Sequence, residues 1–345
     1  MASAEVTVLG AGIFGLSIAW ACQQRGARVR VIDPGGPGAG SSGGIVGALA
    51  PHVPENWNDK KAFQLDSLLM AEAFWREVED ASGLSVGHAR TGRVQPILDE
   101  RGLSLAKDRT LGAATLWQSH AIWDVTDKPP GPITPPSPTG WYIFDTLSAR
   151  LHPRRACDSL AAALRARGGE LMTDGKARGH VIHATGAAGL VALSNDMSRS
   201  VGNGVKGQAA LLDFDARNAP QLFVDGLHIV PHADGTTAIG STSERDYTAP
   251  DSTDAQLDAL IEKARAALPE LRNANVIERW AGLRPRARSR APMLGVHPLY
   301  AGEFIANGGF KIGFGMAPKV AQVMADLVLD GRDRIPEGFK PDASL

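Results

Sequence analysis

Val6-Thr7-Val8-Leu9-Gly10-Ala11-Gly12-Ile13-Phe14-Gly15, followed by Val29-Arg30-Val31-Ile32-Asp33, is the stretch that decides the fold of this chain. An apolar β run enters a glycine turn, an apolar helix follows, and a second β run closes on an acid; together these make the fingerprint of a dinucleotide-binding βαβ unit. Gly10 allows the tight turn, Gly12 lets backbone approach a pyrophosphate, and Gly15 lets helix and strand pack closely. The phosphates are expected at the helix N-terminus, where unpaired N–H groups and the positive end of the helix dipole favour negative charge. Asp33, eighteen residues beyond Gly15, is placed to accept hydrogen bonds from an adenosine ribose and to repel a 2′-phosphate. The expected ligand is FAD or NAD rather than NADP.

A chain of 345 residues, 43% of them hydrophobic, can bury a sizeable core, and its length suits two domains. The formal net charge of −1 offers no global field to nucleic acid or an anionic membrane. No apolar run approaches the ~18 residues of a membrane span, and the N-terminus leads directly into a strand, so the default expectation is a cytoplasmic protein. Cys22 and Cys157 fall in helical segments without metal-ligand spacing; they read as buried thiols, and no metal site is expected.

Beyond the first βαβ unit, the loop from Pro34 to Pro54 is rich in glycine and serine yet carries Ile45-Val46 and Ala48-Leu49-Ala50, which a solvated linker would not. Helical spacing predicts a helix over 62–81, and Pro153 and Gly168 bracket another over 152–167. Residues 129–140 hold too many prolines for helix or central strand and read as a stiff connector. His180-Val181-Ile182-His183 reads as a buried strand running into the Ala184-Thr185-Gly186 turn, the kind of place where open α/β sheets bind ligands. Residues 209–214, 222–231 and 236–242 alternate like antiparallel strands, and a helix over 253–268 is expected with Ser252 as its N-cap. Near the C-terminus a strand at 303–306, the Asn307-Gly308-Gly309 turn and a helix from about Ala317 to Asp330 follow, with Pro318 in the first helical turn. That second glycine turn separates a flavin from a nicotinamide reading: a flavin becomes anionic on two-electron reduction, and a helix N-terminus aimed at it stabilises the charge.

In this order, these segments resemble the D-amino-acid oxidase and glycine oxidase family of FAD enzymes over almost the whole chain. The likeness rests on the Gly10–Gly15 fingerprint with Asp33, the Ser41–Gly47 loop, the 184–186 turn, Trp280-Ala281-Gly282-Leu283-Arg284-Pro285, and Gly308-Gly309-Phe310-Lys311-Ile312-Gly313. It implies an α/β fold in which a Rossmann-type FAD-binding domain (1–85, 145–200 and 285–345) is interleaved with a mixed-sheet α+β substrate domain (86–144 and 201–284), with non-covalent FAD at their boundary. It further implies cofactor contacts from Gly10, Gly12, Ile13, Phe14, Gly15, Asp33, Pro34, Ser41, Ser42, Val46, Gly47, Ala48, Gly186, Gly309, Phe310, Lys311, Ile312 and Gly313. Arg284 matches the family arginine that clamps a substrate carboxylate, a planar fork suited to that partner.

This chain departs from the family pattern at three places. Lys311 stands where glycine oxidases have a second arginine, and His228 where they have a tyrosine two residues before Val-Pro. Residues 169–186 are shorter than usual, which puts an adenine contact from Met172 or Thr173 in question. The implied reaction removes a hydride from Cα of a small amino acid or related amine to flavin N5, with Arg284, Lys311 and His228 around the substrate; an α-hydroxy acid would suit the same clamp. Dioxygen, or a quinone or electron-transfer protein, would take the electrons onward. The competing readings are a flavin enzyme acting on modified tRNA wobble uridines, for which Arg284, Arg286, Arg288 and Arg290 form a basic series, and a non-catalytic FAD-binding module. A nicotinamide dehydrogenase would leave the C-terminal glycine turn unexplained.

Overall fold

The computed structural model describes residues 4–345. A six-stranded sheet runs in the order Met293–Val296, Phe304–Asn307, His180–His183, Glu5–Leu9, Arg28–Ile32, Glu170–Met172. All of its pairings are parallel except that of the first two strands. Val6, Thr7 and Val8 are all buried, as a central strand covered on both faces requires. The Thr7 hydroxyl is satisfied by donating to the Arg178 carbonyl at 2.7 Å.

The helix Ile13–Gln24 leaves the glycine turn and is buried nearly all round, from Ile13 to Trp20 and at Cys22. A helix apolar on every side must be enclosed, and this one packs against Gly313–Asp330 and Pro153–Ala166. Burial of Leu16 and Ile18 contributes about 1.5–3 kcal/mol each, so the core itself fixes where the glycine turn sits.

An eight-stranded sheet runs in the order Asn275–Ala287, Gly202–Asp213, Thr237–Gly240, Leu227–Pro231, Gln221–Val224, Arg93–Pro96, Tyr142–Asp145, Trp123–Thr126. Only Gln221–Val224 beside Arg93–Pro96 is parallel, which makes the sheet mixed. Strands of the first sheet come from 5–32, 170–183 and 293–307, those of the second from 93–145 and 202–287, so the two sheets alternate along the chain. The expected α/β fold, a Rossmann-type sheet with a mixed-sheet α+β partner, is the fold found.

Three local expectations are corrected. Residues 222–231 are not one strand but a hairpin, folded at Asp225 (φ 47°) and Gly226 (φ 78°), so that Phe223 pairs with His228; Asp-Gly is a strong two-residue hairpin signal because both positions need positive φ. The helix Ala255–Ala267 is capped by Asp254, not Ser252: the Asp254 carboxylate accepts from Gln256 N–H at 2.9 Å. The last helix begins at Gly313 rather than near Ala317, and Pro318 lies inside it. The Met316 N–H already donates to the Ile312 carbonyl at 3.0 Å, so the helix tolerates the one bond that Pro318 cannot make.

Candidate active site

A cavity of about 820 Å³ lies between the two sheets, within the usual size for a cofactor or ligand site. Its wall includes Gly10, Gly12, Ile13 and Phe14 of the first turn, Asp33-Pro34, the 40–48 loop, the 184–186 turn, and the Asn307–Lys311 turn with Gly313, Phe314 and Gly315. Asp33, on the cavity wall, takes the Ala11 N–H at 2.7 Å on one carboxylate oxygen and the Gly35 N–H at 2.9 Å on the other, and each oxygen keeps further acceptor capacity. Ser42 Oγ accepts from Ile13 N–H at 2.9 Å, which ties the 40–48 loop to the helix start. At Gly12 the wall is bare backbone, and a Cβ there would lie 3.3 Å from that hydroxyl. An acceptor acid, a helix N-terminus and, packed beside that helix start, a second glycine turn entering a helix are the groups that FAD requires.

Nearly all the residues marked from sequence meet on this wall: Gly10, Gly12, Ile13, Phe14, Asp33, Pro34, Ser41, Ser42, Val46, Gly47, Ala48, Gly186, Gly309, Phe310, Lys311 and Gly313, together with Arg284 and His228. Gly15 is not there. It is buried beneath the turn, where a Cβ would overlap the Gly10 carbonyl oxygen. Ile312 faces an adjoining smaller chamber, and Met172 and Thr173 lie outside the lining. Sequence reasoning missed Phe223, Ser241, Asn307 and the position of Trp280. Phe223 arrives through the unrecognised hairpin. Asn307 is buried and its Nδ2 donates to the Gly186 carbonyl at 3.0 Å, joining two turns distant in sequence. Trp280 lies 3.5 Å from where a Gly44 side chain would begin. Cys22 and Cys157 are buried thiols that do not line the cavity; burial pushes the Cys22 thiol up to about 12 and raises that of Cys157 as well.

Arg284 lies within the strand Asn275–Ala287 and is 8% exposed. Its guanidinium crosses the neighbouring strand over Gly207, where any side chain would overlap it. Nη1 donates to the Thr242 carbonyl at 3.1 Å and Nη2 to Ser241 Oγ at 2.5 Å, and no carboxylate pairs with it among the described residues. Burial pushes its pKa down to about 10, so it stays cationic at neutral pH, and Glu244 opposes that shift. A buried cation held by neutral groups, with N–H donors left over, is a site prepared for an anion. The Phe310 N–H donates to the Pro285 carbonyl at 2.9 Å, which fastens the C-terminal turn to the strand carrying Arg284.

The four arginines of the basic series separate in space. Arg284 is buried, Arg286 lies 5.6 Å over the Phe310 ring, Arg288 reaches the Leu345 carbonyl, and Arg290 sits in a turn with φ 61°.

His228 lines the cavity with its ring 4.6 Å from that of Phe223. Burial, and then Arg93 and Lys311, hold its pKa down to about 3, so the ring is neutral. Burial likewise lowers His88 and His152 to about 4. Such a ring protonates near 6.5 only when the chain unfolds, so its contribution to stability is complete above that pH and is lost as pH falls toward 4, on the order of 1–2 kcal/mol per ring by pH 5. The thermal unfolding midpoint is therefore expected to hold level between pH 7 and pH 8.5 and to fall on acidification below about 6.5. A midpoint that rises from pH 7 to pH 5 would contradict these burials.

Comparison with known proteins agrees with the geometry. The family model for DAO, FAD dependent oxidoreductase, matches residues 5–327. The chain is 28% identical, over 99% of its length, to the whole of the glycine oxidase of Pseudomonas putida. It is 25% identical over 94% of its length to the bifunctional protein ThiO/ThiG of Trichormus variabilis, and spans about half (53%) of that longer protein. The crystal structure of glycine oxidase from Geobacillus kaustophilus matches it with a TM-score of 0.82 at 20% identity, with 98% of each chain covered. With a family match across nearly the entire chain and a cavity whose donors suit the dinucleotide, the protein belongs to the FAD-dependent oxidoreductase family of the D-amino-acid oxidase type.

Proposed function

We propose that the protein oxidises a small amino acid, or a secondary amine bearing a carboxylate, at its Cα–N bond. The observation that carries this reading is Arg284: a buried guanidinium, free of any carboxylate among the described residues, on the wall of the cavity that suits FAD. FAD held by the two glycine turns and Asp33 would supply the two-electron acceptor for the Cα hydrogen. Arg284 holds the substrate carboxylate by its planar fork and so fixes the direction of the Cα–H bond. Ser241 and the Thr242 carbonyl hold the guanidinium in turn. Phe223 and Trp280 give this part of the wall an apolar character that limits water around the reacting carbon. The amine must enter neutral, and the surrounding cations Arg284 and Lys311 disfavour an ammonium. Water hydrolyses the imine to the keto acid, releasing ammonia from a primary amine and the corresponding primary amine from an open-chain secondary amine.

The test is anaerobic mixing of the purified yellow protein with glycine, sarcosine, proline, D-amino acids and α-hydroxy acids. Bleaching of the flavin absorbance by an amino acid, with formation of its keto acid or imino acid, is the expected result. Bleaching by hydroxy acids alone, or by none of the panel, overturns the reading. Stoichiometric hydrogen peroxide on readmission of air identifies dioxygen as the acceptor, and its absence points to a quinone or electron-transfer protein.

A further inference from the structure

The guanidinium of Arg284 lies against Gly207 on one face of the strand Gly202–Asp213. Alternation along the strand puts Lys206 and Gln208 on the opposite face, and both are buried. There they gather two acids. Lys206 Nζ lies 3.0 Å from Asp254 Oδ2 and 3.5 Å from Glu244 Oε2. Gln208 Nε2 donates to Glu244 Oε1 at 3.0 Å and to Asp254 Oδ1 at 2.8 Å. None of residues 245–253 is buried, so Glu244 and Asp254 clasp an exposed loop at its two ends. Glu244 itself is buried, and its Oε2 has no hydrogen bond, so Lys206 is what meets its charge.

This cluster reaches Arg284 through Thr242. The Thr242 hydroxyl accepts the Gln208 N–H at 2.8 Å and donates to Glu244 Oε1, and the Thr242 N–H donates to the Gln208 carbonyl at 3.1 Å. Glu244 and Lys206 exchange two further backbone bonds of 2.9 Å. The carbonyl of Thr242 and the hydroxyl of Ser241 are the two groups that orient the guanidinium. Both are thus held from the far face of the strand, by side chains that do not line the cavity. Stability alone does not account for burying such charges, since apolar residues of similar volume often serve as well. Glu244 is also the acid whose charge acts on Arg284. Left unpaired, it would compete with a substrate carboxylate for that cation.

We propose that Glu244 and Lys206 are positioning residues for the carboxylate clamp. Glu244 fixes the Ser241-Thr242 acceptors by taking the Thr242 hydroxyl, and Lys206 engages the charge of Glu244 so that Arg284 stays free for substrate. This rests on the reading of Arg284 given above and names what holds it ready.

The test measures carboxylate affinity on folded, flavin-loaded protein, a quantity that a merely stabilising cluster would not move. Acetate, propionate and glycolate are titrated into the parent and its variants, with perturbation of the flavin absorbance giving Kd. The parent is expected to bind at least one of these acids, and Arg284→Met to bind it at least tenfold more weakly. Glu244→Ala, which removes the acceptor, is expected to weaken binding at least fivefold. Glu244→Gln, which keeps an acceptor without the charge, should stay within twofold of the parent. Lys206→Met leaves the acid unpaired and is expected to weaken binding at least fivefold, and adding Glu244→Gln to it should restore the affinity to within threefold. The KM of the amino-acid substrate should follow the same order. Should Lys206→Met not accumulate, Glu244→Ala against Glu244→Gln carries the test, because both leave Lys206 paired with Asp254. Parental affinity in Glu244→Ala and Lys206→Met overturns the proposal, as does a Glu244→Gln protein as weak as Glu244→Ala or a double variant no better than Lys206→Met. In each of those cases the clamp reading stands as long as Arg284→Met still loses the acid. If Arg284→Met binds like the parent, or the parent binds none of the three acids, the clamp itself falls and the proposal with it.

Discussion

Arg284→Met is expected to lower kcat/KM for the amino-acid substrate about a thousandfold, equivalent to about 4 kcal/mol of transition-state stabilisation. The size follows from the site. The guanidinium is 8% exposed, so its bond to a carboxylate forms away from bulk water, where a charge-assisted pair is worth several times an exposed one. Losing it also frees the Cα–H bond from its fixed direction, so kcat should fall along with the rise in KM. Arg284→Lys should recover little, because a point charge lacks the fork and the lysine chain cannot reproduce both the Thr242 and Ser241 contacts. The fold is expected to survive. Among the described residues Arg284 has no carboxylate partner to orphan, and its two hydrogen bonds, at roughly 1 kcal/mol each, are small against the core around them. Rapid-reaction kinetics on the variant with full flavin content would check this. Activity within tenfold of the parent protein, or loss of FAD in step with loss of rate, would mean that Arg284 supports structure rather than substrate.

The fold was legible where one local rule had only one solution. The Gly10–Gly15 turn, with Asp33 at its distance, specifies strand, helix and strand before any tertiary contact is known, and the parallel pairing of Val6 with Val29 follows from it. Most of the cavity wall was legible for the same reason, since glycine turns leading into helices expose backbone N–H groups wherever they occur. What escaped were features set by contacts between distant segments. Asp254 outcompetes Ser252 as a helix cap because its carboxylate also meets Lys206 at 3.0 Å and Gln208 at 2.8 Å, partners from a strand more than forty residues earlier. The last helix starts early because its first turn is packed in place: the Gly313 backbone lies near Ile13 and Gly315 faces Leu68, and apolar periodicity does not register glycines. Phe223 was missed through a hairpin whose Asp225-Gly226 signal was present but was read through. Ser241 and Asn307 carry no periodic signal at all, and their places follow only from the sheets that bring them to the cavity.

Gly12 and Gly15 belong to one turn, and substitution should separate what each does. Gly12→Val is expected to give a folded, soluble, colourless protein with FAD affinity lowered at least a hundredfold, about 3 kcal/mol, the scale of one or two charge-assisted hydrogen bonds. Gly12 has φ −79° and ψ 179°, an extended conformation that any L residue adopts, and its Cβ would meet only the Ser42 hydroxyl, at 3.3 Å. Only the Ser42 hydroxyl opposes the Cβ, and a shift of a few tenths of an ångström relieves it; the valine methyl groups would stand where the helix start should meet phosphate. Gly15 is the opposite case. Its Cβ would overlap the Gly10 carbonyl oxygen, which is backbone and cannot swing aside, and would press on Val8 at 3.1 Å in the central strand. Gly15→Ala is therefore expected to lower the unfolding midpoint of the FAD-free protein by at least about 3 °C, or to prevent accumulation of folded protein. Flavin content and apoprotein melting, measured on both variants, give a crossed result: ligand lost with stability kept at one glycine, stability lost in the absence of ligand at the other. Were Gly12→Val to purify yellow with normal flavin content, the helix start would not be the phosphate site. Were Gly15→Ala to melt like the parent, the close approach of helix to strand would not be what holds that site in place.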